Sequence, residues 1–175
     1  MDELLETLDD TGTPLGPIAR SEVHARGLLH RAVHVWVFTP DRRVYVQQRG
    51  LAKDINPGRW DVSVGEHLQP GEDYATAARR GLHEELGIDA GALETLGGVR
   101  RVSLDRPAQG IHDHELQQAF RLVHAGHVVP AADELAELQL LEPGALRRWL
   151  AHAPDDFTAG VHRDVADLGL LAETG

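Results

Sequence analysis

Glu84 and Glu85 stand side by side near the end of the stretch Gly65 to Ile88, GEHLQPGEDYATAARRGLHEELGI. Adjacent carboxylates repel unless water or a cation lies between them, and hard oxygen donors of this kind suit Mg²⁺ or Mn²⁺. Taken without its surroundings, the pair is a solvated Glu-Glu dipeptide with Arg80 as an ordinary i to i+4 partner of Glu84. The surroundings favour the metal. A Gly- and Pro-rich loop runs straight into the segment, and Gly87 offers a left-handed stop just behind it.

A helix has to present these acids. At about 100° per residue, Tyr74, Ala78, Leu82 and Leu86 share an apolar arc, and Gly81, Glu84 and Glu85 fall on a neighbouring one. The helix can therefore pack and hold a cation at once. Ahead of it, Leu4 to Leu8 and Leu15 to Ala19 read as a β-hairpin around DDTGTP, and Ser21 is placed to cap a short helical turn through Arg26. Leu28 to Phe38 is a long strand expected at the sheet centre, followed by a strand Val44 to Arg49, a loop Leu51 to Arg59 and the approach Trp60 to Val64. Behind the helix, Ala92 to Val102 and Leu116 to Val123 read as strands joined by a connection from Asp105 to His114. Glu134 to Leu141 is a further strand, Pro143 to His152 a helix with Pro in its first turn, and Phe157 to Leu171 a closing helix. The order lacks the βαβ rhythm of a doubly wound sheet.

Composition bounds the function classes. At 175 residues and 42% hydrophobic, the chain suits one domain. No apolar run approaches the ~20 residues of a membrane span, and MDELLETLDD is acidic where a signal peptide is basic, so a cytoplasmic protein without a membrane partner is expected. Zero Cys excludes disulfides, thiolate metal sites and thiol nucleophiles. A net charge of −11 argues against a nucleic-acid polymer as partner and for a small molecule. The N-terminal ribbon has an edge on which a homodimer could form.

The central stretch resembles the box of the Nudix hydrolases, G-x5-E-x7-R-E-U-x-E-E-x-G-U with U aliphatic. Counted back from Gly87, Glu72, Arg80, Leu82, Glu84, Glu85, Gly87 and Ile88 are in register. Two positions depart: Glu66 stands where the opening Gly belongs, with Gly65 one step early, and Gly81 replaces the first Glu of the R-E-U-x-E-E run. The resemblance implies an α+β fold, a Nudix α/β/α sandwich around a mixed sheet. Residues 1–22 would form the ribbon, 23–141 the core with the box at 65–88, and 142–175 the C-terminal helices of a single domain.

Within that superfamily, LLHRAVHVWVF, VYVQQR, the K-x3-P-G-x-W that starts at Lys53, and His67 are similar to the isopentenyl diphosphate isomerase branch and its hydrolase relatives, over about Val23 to Leu141. That branch builds a second, His-rich metal site, whose ligands the resemblance maps to His24, His30, His67, Asp113 and Glu115. Neutral imidazoles with carboxylates suit a divalent transition metal or Mn²⁺. Asp113 and Glu115 are two apart and share one side of a strand. With 11 His in the chain, His24 and His30 each retain the alternative of a surface or hydrogen-bonded side chain, and His34, His112 and His114 carry no role. The resemblance places Arg49 and Lys53 as clamps on the outer phosphates. Arg80 is grouped with these substrate-end residues, but the resemblance implies that it orients the carboxylates without touching substrate, which agrees with its i to i+4 spacing to Glu84. Glu72 is expected to support the metal site, with an acidic first-turn residue as its alternative.

The isomerase needs a cysteine just before the His, and that position is Gly65. What remains is metal-dependent hydrolysis of a diphosphate linkage, in a nucleoside diphosphate or a related metabolite, with Mg²⁺ or Mn²⁺ as cofactor. Glu84 and Glu85 are the expected catalytic acids, with Glu85 the principal ligand. Gly81 costs a helix roughly 1 kcal/mol against Ala and removes a carboxylate. Either Glu66, Glu115 or Glu85 replaces it, Glu115 being the expected substitute base, or the domain is an impaired diphosphate binder or sensor. Trp36, Trp60 and Phe157 are candidates for stacking on a base or for filling the core.

Overall fold

The computed structural model describes residues 2–53, 55–132 and 134–171. A hairpin of β1 (Leu4–Leu8) and β2 (Pro14–Ala19) leads into the short helix α1 (Arg20–Arg26). The hairpin turn is held by Asp9, whose Oδ1 accepts the N–H groups of Thr11 and Thr13 at 2.9 Å each. Ser21 does not cap α1. The N-cap is Ala19, and the Ser21 hydroxyl is donated to Asp2 instead.

The main sheet holds β3 (Leu29–Phe38), β4 (Val44–Arg49), β5 (Trp60–Asp61), β6 (Val64–His67), β7 (Glu94–Arg106), β8 (Ile111–Val123) and β9 (Leu135–Leu141). Its order is β5-β4-β3-β8-β7, with β6 also paired to β3 and β9 to β4. β3 and β8 run parallel while the other pairs are antiparallel, so the sheet is mixed as expected. β3 alternates strictly. Val33, Val35 and Val37 face helix α2 (Tyr74–Leu86), packing with Ala78, Leu82 and Leu86. Trp36 and Phe38 face the other way, into a core shared with Leu146 of α3 (Pro143–His152) and Val161 of α4 (Ala159–Leu168). Burial of each such aliphatic side chain contributes roughly 1.5–3 kcal/mol, and both faces of the sheet are thereby closed. The result is the helix–sheet–helix sandwich.

Two boundaries differ from the sequence reading. The strands around the 105–114 connection are longer, and only Pro107 to Gly110 turns the chain. His112 and His114, polar residues that resemble a loop in sequence, instead face Asp105 across the hairpin at 2.8 and 3.0 Å. The closing helix is shorter than Phe157 to Leu171, because Thr158 caps its start and left-handed Gly169 ends it.

The cleft originates in a split of this sheet. β4 pairs with β3 only at Phe38–Val44, whereas Ala32 to Val35 of the same edge pair with β6. At the fork Ser63 satisfies both backbones: its Oγ accepts the Val37 N–H at 2.8 Å and donates to the Tyr45 carbonyl at 2.6 Å. Beyond Ser63 the two halves diverge. No helix among the described residues is long and apolar enough to cross a membrane.

Candidate active site

The divergence opens a cleft of about 370 Å³ whose walls include Gln47 and Arg49 of β4, Glu66 and His67 of β6, and Glu84 and Glu85 of α2. Helix α2 is fixed at both ends: Asp73 Oδ1 accepts the Thr76 N–H at 2.7 Å, and Gly87 sits at φ 64°. The two acids at its end diverge. Glu85 is buried, and its Oε2 accepts a hydrogen bond from Gln47 Nε2 at 2.9 Å. Glu84 lies one helical step round at the rim, its side chain 52% exposed and its Oε2 3.3 Å from Arg80 Nη1.

Arg80 organises this end. Its Nε and Nη2 reach the two oxygens of Glu72 at 2.9 and 3.0 Å, its Nη1 lies 3.2 Å from Glu66 Oε2, and its Nη2 donates to the His67 carbonyl at 2.8 Å. Both oxygens of Glu72 are thus on Arg80, a bidentate contact. Burial pushes the Glu66 carboxyl up to about 7, Arg80 opposing. Burial, and then the charge of Glu66, raises Glu85 well above the usual carboxylate range, with Gln47 pulling the other way. A cation at carboxylates competes with protons, so its affinity there rises with pH.

A second cluster lies next to the first. His24 of α1, His30 of β3, His67 of β6 and Asp113 of β8 offer ligand atoms that all lie within 4.8 Å of one another. The three imidazole centroids are 5.0 to 5.3 Å apart. Glu115 joins them, with its Oε1 3.6 Å from His67 Nε2 and 4.0 Å from His30 Nε2. The parallel β3–β8 register, His30 opposite Glu115, is what brings the two strands' ligands together. His30 is fully buried and its Nδ1 donates to the Leu28 carbonyl at 3.0 Å, which turns the Nε2 lone pair toward the cluster. Nε2 of His30 and Oδ1 of Asp113 are buried without a hydrogen-bond partner among the described residues. Burial, followed by the charge of His30, holds the His67 imidazole well below its usual range, and burial with the neighbouring Glu115 raises Asp113. Nitrogen and oxygen donors aimed at one point, two of them unsatisfied, fit a divalent cation.

The basic residues of the cleft are arranged differently from one another. Arg49 Nη1 is 3.0 Å from Asp61 Oδ2, and its Nε donates to the Ile55 carbonyl. Lys53 is paired with Glu134 across the mouth. Arg163 of α4 also lines the cleft and makes no ion pair among the described residues. Sequence reasoning missed it, along with Gln47, Gln117 and the buried Asp164. Two signals were available: Gln47 shares a strand face with Arg49, and Asp164 falls on the buried face of α4, three residues after Val161. Gln117 Nε2 donates to Glu115 Oε2 and meets His34 Nε2, both at 3.0 Å, which fixes the acid against the histidines. Trp36, Trp60 and Phe157 fill the core under α3 and α4, and the cleft walls carry no Phe, Tyr or Trp among the described residues.

The NUDIX domain family model matches residues 28–161. The chain is 34% identical over 160 residues to an uncharacterized Nudix hydrolase of Pseudomonas aeruginosa, across 90% of each chain. It is also 34% identical over 157 residues to an isopentenyl-diphosphate Delta-isomerase of Streptomyces avermitilis, covering 89% of this chain and 78% of that one. Among solved structures, the MutT protein of Methanosarcina mazei aligns with a TM-score of 0.66 at 15% identity, over 83% of this chain and 96% of that one, a likeness of fold.

Proposed function

The chain belongs to the Nudix family, and on that premise we propose that it is a divalent-metal-dependent hydrolase of a phosphoanhydride in a small diphosphate metabolite, a nucleoside diphosphate or a relative of one. The observation that carries this reading is the single cleft that joins the acids of α2 to the histidine cluster and faces both with cationic side chains. Glu85 and Glu84 would hold Mg²⁺ or Mn²⁺ at the box, with Glu72 supporting them through Arg80. His24, His30, His67, Asp113 and Glu115 would hold a second ion, their mixed donor set suiting Mn²⁺ or a transition metal. A divalent ion, when bound, supplies neutralisation of the diphosphate charge and a more acidic water.

The side chains of the chain do the rest. Arg163, without an ion pair among the described residues, offers a guanidinium for bidentate contact with a phosphate, and Arg49 and Lys53 add cations that now rest on Asp61 and Glu134. Glu115, held by Gln117 beside His67, is placed to take a proton from an attacking water. With no Phe, Tyr or Trp among the described residues of the cleft wall, a base bound there would be held mainly by polar groups such as Gln47 and Gln117.

Isomerisation is disfavoured because Gly65 occupies the position of the required thiol and the chain contains no cysteine. Incubating the protein with a panel of nucleotide and isoprenoid diphosphates and each divalent ion tests the proposal. Metal-dependent phosphate release supports it. Conversion of isopentenyl diphosphate to its isomer, or no release from any diphosphate, would overturn it.

A further inference from the structure

The two departures from the box pattern touch each other in space. A Cβ built on Gly81 would lie 2.8 Å from Val64 Cγ1, 3.2 Å from Glu66 Cβ and 3.4 Å from Glu66 Cγ. The 2.8 Å approach sets a side chain at 81 against Val64, and the 3.2 Å approach is tight enough that side chains at 66 and 81 crowd each other as well. The family pattern puts Gly on the strand and Glu on the helix, whereas this chain puts Glu on the strand and Gly on the helix. The stem of Glu66 occupies the cradle that Gly81 leaves open, and its carboxylate reaches the same cleft as Glu84 and Glu85. There Oε1 accepts the His67 N–H at 2.9 Å, and Oε2 lies 3.2 Å from Arg80 Nη1. Glu115 serves the histidine cluster instead, with Oε1 3.6 Å from His67 Nε2 and 4.0 Å from His30 Nε2.

We propose that Glu66 is the box carboxylate delivered from β6 instead of α2, an oxygen donor to the box-site cation in place of the Glu absent at 81. The assignment rests on the metal-dependent reading of the cleft. It removes the reason for treating Gly81 as the mark of an inert domain: the carboxylate is relocated and not lost. Helix and strand can exchange it because the two backbones approach closely enough at Gly81 for either to place an acid at nearly the same point.

Four variants test this: Glu66→Gln, Glu66→Gly, Gly81→Glu and the double exchange Glu66→Gly/Gly81→Glu. Mn²⁺ binding is read by electron paramagnetic resonance of the free ion, folding by thermal unfolding, and turnover on a diphosphate separately. Glu66→Gln keeps the volume and removes the charge, so it should fold normally and bind its box-site Mn²⁺ at least about tenfold more weakly or lose one ion per chain. Gly81→Glu should lower the melting temperature, and the double exchange should recover part of that loss, the Val64 contact remaining, together with the Mn²⁺ affinity. Unchanged number and affinity of Mn²⁺ in Glu66→Gln overturns the proposal, as does a folded double variant that binds no better than Glu66→Gly. If the double variant does not fold, Glu66→Gln decides alone. Absence of turnover in the unmodified protein overturns the hydrolase reading without touching these binding results.

Discussion

The carboxylate of Asp164 lies 2.8 Å from Nδ1 of His34, fully buried, and joins the C-terminal helix to the central strand. The same Oδ2 accepts from Trp36 Nε1 at 2.9 Å, and Oδ1 from Arg100. Burial alone would raise the Asp164 carboxyl, yet the charge of His34 and the hydrogen bonds from His34, Trp36 and Arg100 outweigh it and hold it well below the usual range. Burial lowers His34, and the charge and hydrogen bond of Asp164 more than reverse that. The depressed acid contributes stability above its unfolded pKa of ~3.9 that is lost as pH falls through the folded value. The raised histidine contributes fully below its unfolded pKa of ~6.5 and loses that contribution as pH rises through the folded value. Asp164→Ala should cost about 3 kcal/mol or more, since it strands buried donors, and should flatten the acid limb of stability against pH. Urea unfolding from pH 3 to 8 measures both.

Glu85→Gln should reduce metal-dependent turnover by about 100-fold or more, equivalent to about 3 kcal/mol of lost transition-state stabilisation. Gln47→Leu removes the amide that holds Glu85 and should weaken metal binding by about 10–100-fold while Glu85 itself remains. Steady-state rates across a metal titration separate the two variants.

If the histidine cluster holds an ion, Mn²⁺ at about 100 times its dissociation constant should stabilise the fold by about 2.7 kcal/mol, and chelation should reverse this. Asp113→Asn should abolish most of the increment. Thermal unfolding with and without metal, for both proteins, gives the answer.

Arg163→Ala should raise KM by about 10–100-fold and leave kcat within about twofold, the loss expected of a charge-assisted contact of about 1.5–3 kcal/mol made equally in ground and transition states. A KM unchanged in the variant removes Arg163 from the phosphate clamp.

Gly81→Ala opposes two effects of known size. Helix propensity favours Ala by roughly 1 kcal/mol, and overpacking against Val64 and Glu66 costs typically 1–3 kcal/mol. The strand has little room to retreat, because Val64 is fully buried, so net destabilisation is expected on denaturant unfolding.

Single elements of the fold are legible from local composition and periodicity, and the layered arrangement from the resemblance to the Nudix box. The apolar run from Leu28 to Phe38, rich in Val and aromatics, marks a central strand, and the 3.6-residue repeat from Tyr74 to Leu86 with Gly87 behind it marks the helix and its stop. What could not be read were the partnerships between distant residues. Nothing local marks Gln47 as the neighbour of Glu85, 38 positions away, or Asp164 as the partner of His34, 130 positions away. Polar residues at a strand end look like a loop until the opposite strand supplies their partner, and so Asp105, His112 and His114 were read as a connection. The Gly81–Glu66 relation belongs to the same class: two odd residues in a sequence, one shared volume in space.

The sandwich also segregates its chromophores. All three indoles, Trp36, Trp60 and Trp149, pack on the side of α3 and α4, and both phenols, Tyr45 and Tyr74, pack on the side of α2. Excitation at the red edge therefore follows the C-terminal layer alone, while tyrosine emission follows the layer that carries the box. A folding intermediate with one layer docked and the other loose would separate the two signals in time, giving an optical record of assembly from the unlabelled chain.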